Sequence, residues 1–242
     1  MFFDRFRRAA KASRTRRPIT EQDFSIEPLE DRKMLAGNVT AVMRGGDLII
    51  RGDRFSNNID IVPTQNGVRV IGFADPNGAA TTVNGLAFAD FSGPSQIADD
   101  VKITLGAGRD RVGLFVNVND DVSINGGSNS DDLNVTSLIG GKLTINAGSA
   151  DNLVPDFIDI VNTNVAEATR VKGGGGTQQV FVGNSNFFST SSFNTGSGDD
   201  IMQITNSGFT NLRANGGSGR FDQFQAPFAA AAPLVGGFVI FV

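Results

Sequence analysis

A glycine-rich turn returns along this chain at a nearly fixed interval, and no other feature constrains the fold as much. The turns are LGAGRDRV from Leu105, NGGSNSDDLNV from Asn125, NAGSADNLV from Asn146, KGGGGTQQVFV from Lys172, NTGSGDDIMQI from Asn194 and NGGSGRFDQF from Asn215. The steps from Asn125 to Asn146 and from Asn194 to Asn215 are each 21 residues. A constant period that keeps turn residues and apolar residues in phase marks a stacked architecture. Each repeat then buries its apolar face only against its neighbours.

Between the turns the chain alternates. Leu133 and Val135 are separated by polar Asn134, and Leu143 and Ile145 by Thr144. A period of two is the mark of a half-buried strand. The same plan recurs at Ile158 and Ile160, at Val180 and Val182, and at Ile201 and Ile204. Each coil therefore offers two main strands, a small corner such as Ile139-Gly140-Gly141, and a glycine-rich corner. The expected class is all-β: a parallel β-helix, or β-solenoid, with coils of roughly 21 residues and Gly/Asn/Asp-rich turns. Stacking in register should lay Asn125, Asn146, Asn194 and Asn215 in one ladder. The rival is a β-sandwich of hairpins, which explains the strands but not the constant step.

Residues 96–225 hold the regular coils. Residues 38–95 are less periodic and read as an N-terminal cap with early coils, because a solenoid must blunt its exposed edge. Gln65-Asn66-Gly67, between NIDIV and VRVIGF, is a hairpin signal. Residues 226–242, APFAAAAPLVGGFVIFV from Ala226, form an apolar tail broken by Pro and Gly and read as a capping strand. FFSTSSF, from Phe187 to Phe193, and Pro155-Asp156 read as small loop insertions on one face. The Phe side chains of the first segment are expected to form a ladder.

Composition narrows the chemistry. The 242 residues include no Cys, His, Trp or Tyr, but 30 Gly and 20 Phe. Without Cys there is no disulfide framework and no thiolate metal site. Without His the commonest general base and metal ligand are missing, so Ser-His-Asp and Cys-His catalysis are excluded. Residues 1–37 carry nine Lys/Arg against six Asp/Glu, and the remainder twelve against nineteen. An acidic body is a poor partner for nucleic acid, since phosphate contacts need a basic face. No apolar run is long enough for a transmembrane helix.

The segment IEPLEDRKMLAG closes the basic leader at 1–37. Through Glu27, Pro28, Leu29, Glu30, Arg32, Met34 and Leu35 it resembles the N-terminal signature of large secreted or surface proteins of planctomycete-type bacteria. GGDLIIRGDRFSNNIDIVPTQNGVRVIGF from Gly45 and DDVKITLGAGRDRV from Asp99 resemble the same class. That resemblance implies export and processing near Ala36, with the leader disordered or removed and the product extracellular or on the cell surface.

Four arrangements could carry chemistry. The turns weakly resemble the RTX nonapeptide, whose aspartates supply oxygen ligands to calcium. On that resemblance the metal ligands are Asp110, Asp131, Asp151, Asp199 and Asp200, while Gln178 and Phe221 stand where two other turns would carry the acid. The competing reading is that each Asp caps its turn by accepting backbone N–H bonds. Paired carboxylates, Asp99-Asp100, Asp120-Asp121, Asp131-Asp132 and Asp199-Asp200, suggest a polysaccharide-active β-helix enzyme. Adjacent residues on a strand point to opposite faces, however, and there is no Tyr, Trp or His to serve a sugar. Arg51-Gly52-Asp53 reads as a strand end and turn before it reads as an adhesion motif. The favoured function is a non-catalytic exported solenoid with a structural or adhesive role that requires no cofactor. The alternatives are an RTX-like calcium-binding module and the carbohydrate-active enzyme. Partners would be other surface proteins or polysaccharide, with self-association through the solenoid ends.

Overall fold

In the computed structural model, the described residues are 37–74, 80–151, 153–226, 234–236 and 239–241. The leader expected at 1–37 lies outside them except for Gly37. All regular structure among them is β. From Val101 onward every paired strand runs parallel to the strand one coil away. The sandwich of hairpins is thereby excluded, and the chain is a parallel β-solenoid.

One coil shows why. Asp132–Val135 lies on the second sheet, Leu138–Ile139 on a short face, and Leu143–Ser149 on the first sheet. Leu133 and Val135 point inward, as do Leu143 and Ile145, and all four are fully buried. Their polar neighbours face out. Each buried Ile or Leu contributes about 1.5–3 kcal/mol of transfer free energy, and only the coils above and below can bury it. The short face adds a third interior column: Ile97, Val118, Ile139, Val165, Phe187 and Phe209.

The register follows the 21-residue step where the turn sequence repeats it. Val101 pairs with Val122, and Val122 with Leu143. Asn125 lies over Asn146, whose side-chain NH₂ donates to the Asn125 Oδ1 at 3.3 Å, and Asn194 lies over Asn215. Lys172 interrupts that ladder between Asn146 and Asn194. Later coils take 22 residues, and one takes 25 because of the excursion through Ala150–Pro155.

Two readings need correction. FFSTSSF is not a loop. It lies within the strand Asn186–Asn194, with Phe187 and Phe193 buried. Phe187 stacks on Phe209 at 4.7 Å between ring centroids, and Phe193 meets both edge-on at 6.3 Å. The interior needed large side chains here because the first-sheet column shrinks to Thr169 and Ser191. Asp156 is not part of the insertion either: it opens the strand Asp156–Val161 and is buried.

The N-terminal part continues both sheets with antiparallel strands. Asn38–Arg44 pairs with Asp47–Arg51, and Asn58–Thr64 pairs with Gly67–Gly72 through the Gln65-Asn66-Gly67 turn. Phe88–Ser92 then adds to Gly67–Gly72. Asp47–Arg51 and Asn58–Thr64 carry the first parallel pairings, to Val101–Ala107 and Arg111–Leu114. Hairpins therefore sit where a bare parallel edge would otherwise be. At the other end Leu234–Gly236 and Val239–Phe241 pair with Gly208–Asn215 and Gln223–Gln225, one on each sheet.

Candidate functional site

The glycine turns explain the repeat in steric terms. Gly106, Gly127, Gly148, Gly174, Gly196 and Gly217 form one column along the stack. From Gly127 onward, a Cβ on each would overlap the carbonyl oxygen of the glycine one coil before. Gly127 also has φ of 116°, a conformation that an L side chain resists. The column is therefore closed to any other residue.

Beside it runs a column of acids. In register it reads Asn57, Asp110, Asp131, Asp156, Gln178, Asp200 and Asp222. All seven are buried. Each carboxylate accepts the backbone N–H of the column residue one coil before. Asn57 donates to Asp110 at 2.7 Å, Asp110 to Asp131 at 2.9 Å, and Asp131 to Asp156 at 2.9 Å. Gln178 donates to Asp200 at 2.8 Å, and Asp200 to Asp222 at 3.0 Å. This is the capping arrangement, carried out between coils and not within a turn.

Of the five residues singled out as calcium ligands, Asp110, Asp131 and Asp200 thus belong to one column. Asp151 and Asp199 lie outside it and are exposed. Asp199 accepts from the backbone of Arg220 and Phe221. The alignment of the last turn was one residue out: Asp222 holds the column position, and Phe221 stands before it with its side chain exposed. Asp156 was missed because the insertion before it breaks the period.

The second oxygens of Asp110 and Asp131 are buried without a hydrogen-bond partner among the described residues, while a side-chain hydrogen bond from Thr195 acts on Asp200. Desolvation dominates their electrostatics. It pushes the Asp110 carboxyl up to about 7 and the Asp131 carboxyl up to about 8, against the opposing pull of their backbone bonds. Asp156 and Asp200 are raised to about 6 by the same cause. Like charges add to the effect: Asp53 acts on Asp110, the column neighbours Asp110 and Asp156 and then Asp151 act on Asp131, Asp151 on Asp156, and Asp222 and Asp199 on Asp200.

The second corner carries hydroxyls. Ser137, Thr163, Ser185 and Ser207 are buried in one column. Ser137 N–H donates to the Thr163 hydroxyl, Thr163 N–H to Ser185, and Ser185 N–H to Ser207. The Thr163 hydroxyl donates in turn to the carbonyl of Val135 at 2.9 Å, one coil before. Asn162, Asn184 and Asn206 stand one residue ahead at φ of 51°, 50° and 47°. Asparagine tolerates this left-handed turn better than other side chains. The signal was present in the sequence as Asn162-Thr163, Asn184-Ser185 and Asn206-Ser207.

The third corner is acidic and exposed to water. Asp100 N–H donates to Asp47, Asp121 N–H to Asp100, and Lys142 N–H to Asp121. Carboxylate oxygens of Asp47, Asp99 and Asp100 lie within 4.8 Å of one another. The Lys102 ammonium sits 3.0 Å from Asp47 and 2.8 Å from Asp100, which raises its own pKa and lowers that of Asp47. Lys142 lies 3.6 Å from Asp121 and 3.4 Å from Glu167. These four pairs are well solvated and contribute little each.

Comparison of the chain with protein-family models, with curated proteins and with solved structures found no match.

Proposed function

We propose that this chain is a non-catalytic, exported β-solenoid that works as a structural or adhesive element through its outer faces. One observation carries the reading. The acids of the glycine turns and the hydroxyls of the second corner are spent on interior ladders, where each holds a backbone N–H of the neighbouring coil. Such a group is fixed in the scaffold, and its chemistry is not offered to a substrate. Two of the four carboxylate pairs divide accordingly, with Asp131 and Asp200 facing the column and Asp132 and Asp199 outward, while Asp99-Asp100 and Asp120-Asp121 lie at the solvated acidic corner. Export rests on the likeness of IEPLEDRKMLAG to the leader signature of planctomycete-type surface proteins.

The reading calls for no bound calcium. Backbone donors satisfy one oxygen of each column acid, and two lysines stand against the acidic corner. Cell fractionation followed by N-terminal sequencing tests export, with the mature chain expected to begin near Ala36 or Gly37. Melting curves with calcium and with chelator should coincide. A large calcium-dependent gain, lost in Asp131→Ala, would replace this reading by the RTX-like one. Release of new chain ends from acidic polysaccharide would replace it by the enzyme.

A further inference from the structure

The outer surface of the short face holds a shallow cleft of about 270 Å³. Its floor includes Leu138, which is 51% exposed, and its rim carries the amides of Gln96, Asn117, Asn119 and Asn164. Phe188 closes one side and is 63% exposed. Charged residues make up 19% of the chain, yet none lines this cleft.

Phe188 follows a buried phenylalanine on a strand and stands beside an irregularity. The strand Asn186–Asn194 pairs with Gly208–Asn215, and the register slips between Phe187 and Thr190. One extra residue on the first strand makes a bulge. Ordinary strand alternation puts Phe187 in the core and Phe188 outside it, and the bulge begins just beyond Phe187. The fold gains nothing from an exposed phenylalanine, which loses the burial that its neighbour enjoys.

Two of the rim amides are held at one end. The Asn117 Oδ1 accepts the Leu138 N–H at 3.1 Å, and the Asn164 Oδ1 accepts the Asn186 amide at 3.0 Å. Their NH₂ groups are uncommitted among the described residues and are limited in orientation by those bonds. Fixed amide donors, an aromatic wall and no charge together fit a ligand that is uncharged, rich in hydroxyls and apolar on its ring faces.

We propose that this cleft binds a neutral oligosaccharide segment, with Phe188 as the platform for a sugar ring and Asn117 and Asn164 as donors to its hydroxyls. The size falls just below the range of small-molecule sites, about 300–1,000 Å³, which suits one or two sugar units of a longer polymer. This deepens the adhesive reading above and rests on it: the scaffold would be the arm and the cleft its point of attachment.

Affinity electrophoresis of the full chain tests the proposal, with dextran, mannan or mixed-linkage glucan cast in the gel and polygalacturonate as the charged counterpart. At least one neutral polymer should retard the protein. Phe188→Ala should weaken that retardation about tenfold, Phe188→Tyr should retain it, and Asn117→Ala should weaken it. Melting curves of Phe188→Ala should match the parent, since the ring is mostly exposed. The site is overturned if no neutral polymer retards the chain, if polygalacturonate alone does, or if Phe188→Ala binds as the parent does. It is also overturned if Phe188→Ala instead abolishes self-association in sedimentation, which would assign the cleft to a second copy. Failure of binding would leave the exported scaffold standing. Retardation accompanied by cleavage of the polymer would keep the cleft and remove the non-catalytic reading.

Discussion

Asp131 shows how one residue type serves two opposed needs. Its carboxyl accepts the Asp110 N–H, a bond that a buried amide cannot forgo without a penalty of about 1–3 kcal/mol. Its second oxygen is buried without a partner, so the charged form is disfavoured. At pH 5, where the folded-state carboxyl is neutral, Asp131→Ala should cost about 1–3 kcal/mol in urea unfolding. Asp131→Asn keeps an acceptor and never ionises. It should lie near the parent at pH 5 and above it at pH 8.5. If Asn and Ala cost the same at both pH values, the acceptor role is wrong. Gln178 is the exception in the column: the Asp156 N–H goes to the Thr177 carbonyl instead, and the Gln178 amide donates to the second oxygen of Asp156 at 3.4 Å.

At the scale of the element, the glycine column sets the spacing of the coils. Gly127→Ala would place a methyl against the Gly106 carbonyl at a φ of 116°. Neither coil can retreat without breaking its ladder, so a loss of more than about 3 kcal/mol is expected. Gly45 is the control. It also has positive φ, at 65°, but nothing lies within 4 Å of the added Cβ. Gly45→Ala should cost only about 1 kcal/mol, the strain of the turn alone. Equal losses at both positions would show that conformation, and not coil packing, explains the glycines. The Phe187–Phe209 stack makes a second test of the interior. Phe209→Ala removes a ring from a buried column and should cost about 3–5 kcal/mol.

Over the whole molecule the acid column makes stability depend on pH in an unusual direction. The folded pKa values of Asp110, Asp131, Asp156 and Asp200 lie above that of an unfolded aspartate, near 3.8. The folded chain therefore binds more protons than the unfolded one between these values. Their contribution is fully present below about pH 4 and is lost as pH rises through 6 to 8. The melting temperature should fall from pH 5 to pH 8.5, and the fall should shrink in Asp131→Asn. A flat or rising profile across that window would contradict the column's electrostatics. The ends of the stack matter equally. Removing residues up to 95 bares the edges of Val101–Ala107 and Arg111–Leu114, which the hairpins now cover. The truncated chain should form concentration-dependent oligomers in size-exclusion chromatography, because an open parallel edge templates further pairing.

The sequence alone determined what is periodic. The step from Asn125 to Asn146, the alternation at Leu133 and Val135, and the recurring glycines each depend on near neighbours repeated in phase, so they could be read without coordinates. The tertiary structure decided whatever depends on a register between coils. Phe187 looks like part of a polar loop until Phe209 lies over it. Asp222 and Asp156 look unrelated to Asp131 until insertions of different lengths are taken up in the turns and the strands align. The same holds for Ser185, whose Asn-Ser pair recurs in the sequence but which becomes a buried acceptor only once Thr163 stacks beside it. Phe188 is the clearest case. Strand alternation puts it on the opposite face from Phe187, but which of the two faces lies inside is settled only by the column that Val165, Phe187 and Phe209 form across the coils.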